Sequence, residues 1–228
     1  MVLLYVILVK YKCKPYILKR CFSFFIAVCC LFSVNTYVSA HELYYDSNEI
    51  DPIVPFRWTH KTGTGKVYMT IGITRTLGDT YASIDDVAIS AWDIACPEIV
   101  TSFAKSNPHV TLTESSMSNW MKRFPGYYKS VLGVCDITTT DGVTVKDEAS
   151  ARRSNGKIKS AYIQFTPYTE VFKNNNIHVR AVMVHEIGHA LGLGHPGITS
   201  LKSIMQAVPP TTWYMPVDHD KQDVRAWY

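Results

Sequence analysis

The stretch His185-Glu-Ile-Gly-His-Ala-Leu-Gly-Leu-Gly-His195 constrains this chain more than any other segment. Residues four apart on a helix lie one above the other, so His185 and His189 can aim both imidazoles at one point. Gly192 lets the backbone turn sharply out of the helix, because glycine accepts left-handed dihedrals without a Cβ penalty. The turn brings His195 back as a third donor. Three imidazoles on a tetrahedral zinc ion leave a fourth position for water, which is the mark of a catalytic site. A structural zinc would want a fourth protein ligand, commonly Cys, and none lies nearby in sequence. Glu186, next to the first histidine, is then placed to take a proton. A bare H-E-x-x-H is weak evidence on an amphipathic helix; the glycine and third histidine at fixed offsets make the zinc reading strong.

The rest of the 228-residue chain reads as one exported globular domain. Hydrophobic residues make up 47% and charged residues 18%, which excludes a disordered polymer. The formal charge of +4 misleads, because Lys10, Lys12, Lys14, Lys19 and Arg20 all fall in a leader that holds no acid. Without residues 1–40, 18 basic residues face 19 acidic ones, and no nucleic-acid partner is expected. In that leader a basic stretch precedes the apolar run Phe22–Val34, and Val38-Ser39-Ala40 supplies a small-residue cleavage site. Residues 1–40 therefore read as a signal peptide and 41–56 as an N-terminal arm. The run falls short of the roughly 20 residues of a spanning helix, and an uncleaved anchor over residues 22–40 is the alternative. Beyond the leader only Cys96 and Cys135 remain. In an exported domain they pair as one disulfide or stay as two buried thiols, and pattern alone leaves both open.

Ordered structure should begin at Phe56-Arg57-Trp58, with a strand over Lys66–Arg75 whose Val67, Met69, Ile71 and Ile73 share one face. Ser83 reads as the cap of a helix, with Asp86 at the capping-box position and Ile84, Val87, Ala88, Ala91, Trp92 and Ala95 as its stripe; Pro97 ends it. Strands are expected at His109–Thr113, Val131–Thr140 and Ile158–Thr166, and a loop or short helix over Asp147–Asn155. Asn176 reads as the cap of the zinc helix, Ile177, Ala181, Val184, Gly188 and Leu191 as its buried face, and His178 as solvated.

The full His185–His195 pattern resembles the metzincin metallopeptidases at every fixed position. Ser203-Ile204-Met205 resembles their Met-turn, a methionine that supports the ligands from beneath without binding metal. Asp220 to Tyr228 looks like the final helix of matrixin-type domains, and Arg57-Trp58 is similar to their start. The resemblance implies an α+β metzincin fold over residues 57–228: a twisted mixed sheet, two long helices, an active-site cleft and a small C-terminal subdomain ending in a helix. It departs from the animal matrixins at Pro196, which is serralysin-like, and in lacking their cysteine switch. Ala207 stands where serralysins and astacins carry a tyrosine ligand, so three protein ligands to one Zn2+ are expected. No ligands of a structural zinc or of calcium can be matched onto Asp136–Lys159; calcium stays open, with none assigned.

The implied activity is a secreted, monomeric zinc endopeptidase acting on protein or peptide, with Glu186 as general base. Its substrate would lie along a sheet edge, with Pro209, Pro210, Trp213 and Tyr214 walling a side-chain pocket. Two readings compete with it. One is a non-catalytic zinc module on a peptidase fold, although such modules often lose the glutamate that is kept here. The other is a zinc hydrolase acting on something other than peptide bonds.

Overall fold

The computed structural model describes residues 56–145, 148–196 and 201–228. The leader expected at residues 1–40, and all of the N-terminal arm except Phe56, lie outside them. The described residues build a seven-stranded mixed sheet. Its strands are β1 (Arg57–Trp58), β2 (Val67–Ile73), β3 (Ile99–Phe103), β4 (Val110–Glu114), β5 (Gly133–Thr139), β6 (Thr144–Val145) and β7 (Lys157–Phe165). They run in the order β3-β2-β4-β7-β5-β6, with β1 beside the start of β7. Strands β3, β2, β4 and β7 are parallel, whereas β5 runs antiparallel to β7. The short β6 covers β5 only at Ile137 and Thr138. Among the described residues, the outer edge of β5 from Gly133 to Asp136 therefore pairs with no strand.

Helices are α1 (Asp79–Ala82), α2 (Asp85–Ala95), α3 (Met117–Arg123), α4 (Glu148–Arg153), α5 (Asn176–Ala190) and α6 (Asp218–Trp227). A parallel pair needs a crossover, and α2 supplies the one between β2 and β3. It packs on α5, which in turn packs on β5 and β7. Trp92, fully buried on α2, donates its indole N–H to Val184 O at 2.9 Å and so pins the two long helices together. The α+β architecture and its two long helices match the expectation.

Alternation places Val67, Met69 and Ile71 inside, as read from sequence, but Ile73 is 36% exposed at the strand end. On β7 the buried set changes phase between Ile158 and Ala161. The ladder with β5 shifts register there, at Thr138/Thr139, and the bulge absorbs one residue.

Several local readings need correction. Ser83 does not cap α2. It sits in helical conformation closing α1, and the helix starts from Ile84, with Asp86 accepting from the Val87 amide instead. The cap of α5 is Asn175, one residue earlier than expected, whose Oδ1 takes the amides of Ile177 and His178. Ile177 is exposed at that end, while His178 packs edge-on against Phe172 and burial lowers its imidazole below the usual value. Of the loop and the short helix expected over Asp147–Asn155, the helix is the one present, as α4. Strand β3 and helix α3 have no counterpart in the sequence reading. Strand β3 buries only Ile99 fully and α3 only Trp120, so neither repeats an apolar residue often enough to show a period.

The disulfide alternative fails. Cys96 and Cys135 are both buried free thiols. Cys96 closes α2 just before β3, whereas Cys135 lies on β5, with β2, β4 and β7 between those strands. Four interstrand spacings of about 4.8 Å separate them across the sheet, far beyond the roughly 7 Å limit between bridged Cα atoms. Burial pushes both thiols up, that of Cys96 to about 12, which keeps them protonated and inert.

Candidate metal centre

The site is assembled on α5, which is buried almost all round from Ala181 to Ala190. His185 and His189 lie one turn apart on it and are 3% and 6% exposed. The exit from α5 is a Schellman closure: Leu193 N donates to Gly188 O at 3.1 Å and Gly192 N to His189 O at 2.8 Å. Gly192 takes φ +91°, and the Phe56 carbonyl oxygen lies where a Cβ would stand. This position therefore needs glycine twice, for its dihedral and for its space. The turn carries His195 back to the other two. The ligating nitrogens of the three histidines lie within 4.8 Å of one another, the one such cluster of three among the described residues.

Hydrogen bonds decide which nitrogen each ring presents. His185 donates Nδ1–H to Ile204 O at 2.8 Å and His189 donates Nδ1–H to Leu193 O at 2.7 Å. In the neutral rings both Nε2 atoms are then bare lone pairs, and they face each other at 3.0 Å; His195 Nε2 lies 3.3 Å from that of His185. Facing lone pairs repel unless a cation sits between them. Two ligands at about 2.05 Å on a tetrahedral zinc ion are separated by roughly 3.3 Å. The donor set and its spacing fit zinc, and backbone carbonyls behind ligand imidazoles are the usual way such rings are oriented.

Met205 lies beneath the cluster, fully buried, with its Sδ against Gly188 between the two helical histidines. A Cβ on Gly188 would run into that sulfur and would stand 2.9 Å from Trp92 Cζ2. Gly188→Ala should overpack this junction and destabilise the fold by about 1–3 kcal/mol, read as a lowered thermal midpoint. A midpoint at or above that of the parent would refute the packing role of Met205.

The turn holding Met205 is tied to α6 by Asp220, which is fully buried. Its Oδ1 accepts from Ser203 Oγ at 2.5 Å, and its Oδ2 from Ile204 N at 3.1 Å and Val217 N at 2.8 Å. The carboxylate thus caps α6 and anchors the amide of Ile204, the residue whose carbonyl orients His185. Sequence alone marks Asp220 only as a helix-start acid.

Glu186 is buried at 4% exposure beside the cluster, and its Oε2 has no hydrogen-bond partner among the described residues. Burial, and secondarily the Asp136 carboxylate, push its carboxyl up to about 8, with Arg123 acting in the opposite sense. A cation on the imidazoles would pull it back down. Arg123, from α3, clamps Asp136 through both guanidinium ends at 2.7 and 2.6 Å and also donates to Gln164 Oε1. The pair is partly exposed, so its worth is small.

The floor under Glu186 is Gly133 on β5, a residue that no motif in the sequence marks. A Cβ there would stand 2.5 Å from Glu186 Oε1 and 2.6 Å from its Cγ. No local pattern could have signalled this, since the contact spans the fold. Gly133→Ala should displace the carboxylate and lower turnover by about 100-fold while zinc content stays at that of the parent. Unchanged turnover would refute the placement.

These groups line a cavity of about 390 Å³ with Ser130–Cys135 on one side and Ala207, Val208 and Pro209 on the other. Of the four residues expected to wall a side-chain pocket, Pro209 lines this cavity and Pro210 is half-buried beside it. Trp213 and Tyr214 instead line a second cavity of about 760 Å³, with Ile177, Met215 and the start of α6.

A mixed sheet backed by a helix that carries two of three convergent imidazoles and a buried glutamate defines a zinc metallopeptidase of the metzincin class. The profile of the matrixin family matches residues 79–228, about two thirds of the chain, and the chain belongs to that family. Nothing among curated proteins matches. Among solved structures there is partial similarity to High choriolytic enzyme 1, a hatching-enzyme zinc-protease of the medaka fish Oryzias latipes. Identity is 13% and the TM-score 0.32, over 61% of this chain and 50% of that one. This chain therefore spans half the length of that protein.

Proposed function

We propose that the chain is an exported zinc endopeptidase in which Glu186 is the general base. The observation that carries this reading is the convergence of three imidazoles, two of them oriented by Nδ1–H bonds, beside a buried carboxylate oxygen with no partner among the described residues. His185, His189 and His195 would hold the ion, which when bound lowers the pKa of a water and polarises a scissile carbonyl. Glu186 accepts the proton of the attacking water at Oε2 and delivers it to the leaving nitrogen. Burial of Glu186 favours that role, since a desolvated carboxylate holds a proton more readily than an exposed one.

The outer edge of β5 from Gly133 to Cys135 lines the cavity and, pairing with no strand among the described residues, is an edge on which an extended peptide could add as a strand. Strand β7 is the inner neighbour of that edge, with β4 and β5 on its two sides. Ala207, Val208 and Pro209 form the facing wall. Protein or peptide is thus the substrate class, taken by a monomer. Export is supported by the pattern of residues 1–40; among the described residues no helix is long and apolar enough to cross a membrane. Calcium finds no assigned ligands.

A digest of a broad peptide library with and without a zinc chelator tests the reading. Chelator-sensitive cleavage within peptides is the expected result. Intact peptides under zinc-replete conditions would overturn it in favour of a non-catalytic module or a hydrolase of other bonds.

A further inference from the structure

The last carbonyls of a helix have no partner inside it and must find one elsewhere. At the end of α5 every one of them can be followed. Ile187 O takes Leu191 N, Gly188 O takes Leu193 N and His189 O takes Gly192 N. Two remain, Ala190 O and Leu191 O, at the point where the chain leaves for His195. Both are satisfied by side chains from distant segments. Trp58, on β1, donates its indole N–H to Ala190 O at 2.8 Å, and the Tyr228 hydroxyl, just past α6, donates to Leu191 O at 2.8 Å. The same hydroxyl accepts from Trp58 N–H at 3.2 Å. That amide can only donate, so the phenolic proton is left for Leu191 O. Burial raises the Tyr228 phenol above its usual value and keeps this proton in place.

We propose that Tyr228 is a positioning residue for the third ligand: its hydroxyl bridges Trp58 to Leu191 and holds the turn that presents His195. His185 and His189 stand on a buried helix, whereas His195 is exposed and follows four residues after Leu191. Its place depends on the turn more than theirs does. Through this bridge β1 and α6 act on metal affinity without touching the ion. The inference rests on the zinc reading above.

The test is Tyr228→Phe in the full chain, which keeps the ring and deletes one oxygen. The Kd for zinc, measured by competition with a chromophoric chelator, should rise about 10-fold or more, as for other groups that orient metal ligands. The visible spectrum of the cobalt(II)-substituted protein should change with it. Val224→Ala, which trims a buried α6 side chain and keeps every hydrogen bond of the bridge, including the Val224 carbonyl that accepts from Tyr228 N–H, is the control. It should lower the thermal midpoint of the metal-free protein and leave the zinc Kd at that of the parent. A Tyr228→Phe protein with parental zinc Kd and cobalt spectrum overturns the proposal, as does Val224→Ala weakening zinc equally. Failure of the parent itself to bind one zinc per chain would instead refute the metal centre.

Discussion

Glu186→Gln should keep one zinc per chain and lose almost all peptide hydrolysis, by 10²-fold to 10⁴-fold, the usual worth of a positioned general base. The substitution is close to isosteric, so the fit of the side chain over Gly133 survives. What disappears is basicity, because an amide oxygen accepts a hydrogen bond and not a proton. Desolvation should favour the neutral amide, so the variant should be at least as stable as the parent, whose buried carboxyl carries an Oε2 with no partner among the described residues. Zinc by elemental analysis and turnover on a casein substrate check both halves. Full casein cleavage by the glutamine variant would sink the mechanism and leave the metal site standing.

His189→Ala should lose metal and activity together. Its Nε2 is one of the converging nitrogens, and its Nδ1–H holds Leu193 O inside the turn that leads to His195. Removing the ring therefore takes away one donor and loosens the approach of another. Two histidines remain, and His195 is the exposed one. Zinc should fall well below one per chain after dialysis against a mild chelator, with hydrolysis at background. Stoichiometric zinc in this variant would refute the ligand assignment, whatever happened to activity. The two substitutions separate the roles: one spares the ion and removes a proton acceptor, the other removes the ion.

Comparison of sequence and structure shows where each kind of information resides. The spacing of His185, Glu186, His189, Gly192 and His195 is local, since helical geometry and one left-handed glycine set nearly all of that constellation. Strands β2 and β7 were equally legible, because each alternates between a buried and a solvated face over most of its length. Helix α2 was legible in its stripe but not in its start, since the short α1 before it occupies Ser83. Strand β3 and helix α3 were invisible because each buries too few side chains to leave a period.

The sequence by itself determined the chemistry of the centre: three imidazoles, one carboxylate, and a turn that only glycine makes. Only the tertiary structure decided how that chemistry is held. Gly133 beneath Glu186, Met205 against Gly188, Asp220 behind Ile204, and Trp58 with Tyr228 at the helix exit are all contacts between distant segments. The free state of Cys96 and Cys135 was decided at the same level, by the strands between them. The reason is physical. A metal ligand is chosen by its own lone pair, which a residue carries wherever it goes, but its orientation depends on partners that only the packed chain brings within hydrogen-bond or van der Waals reach.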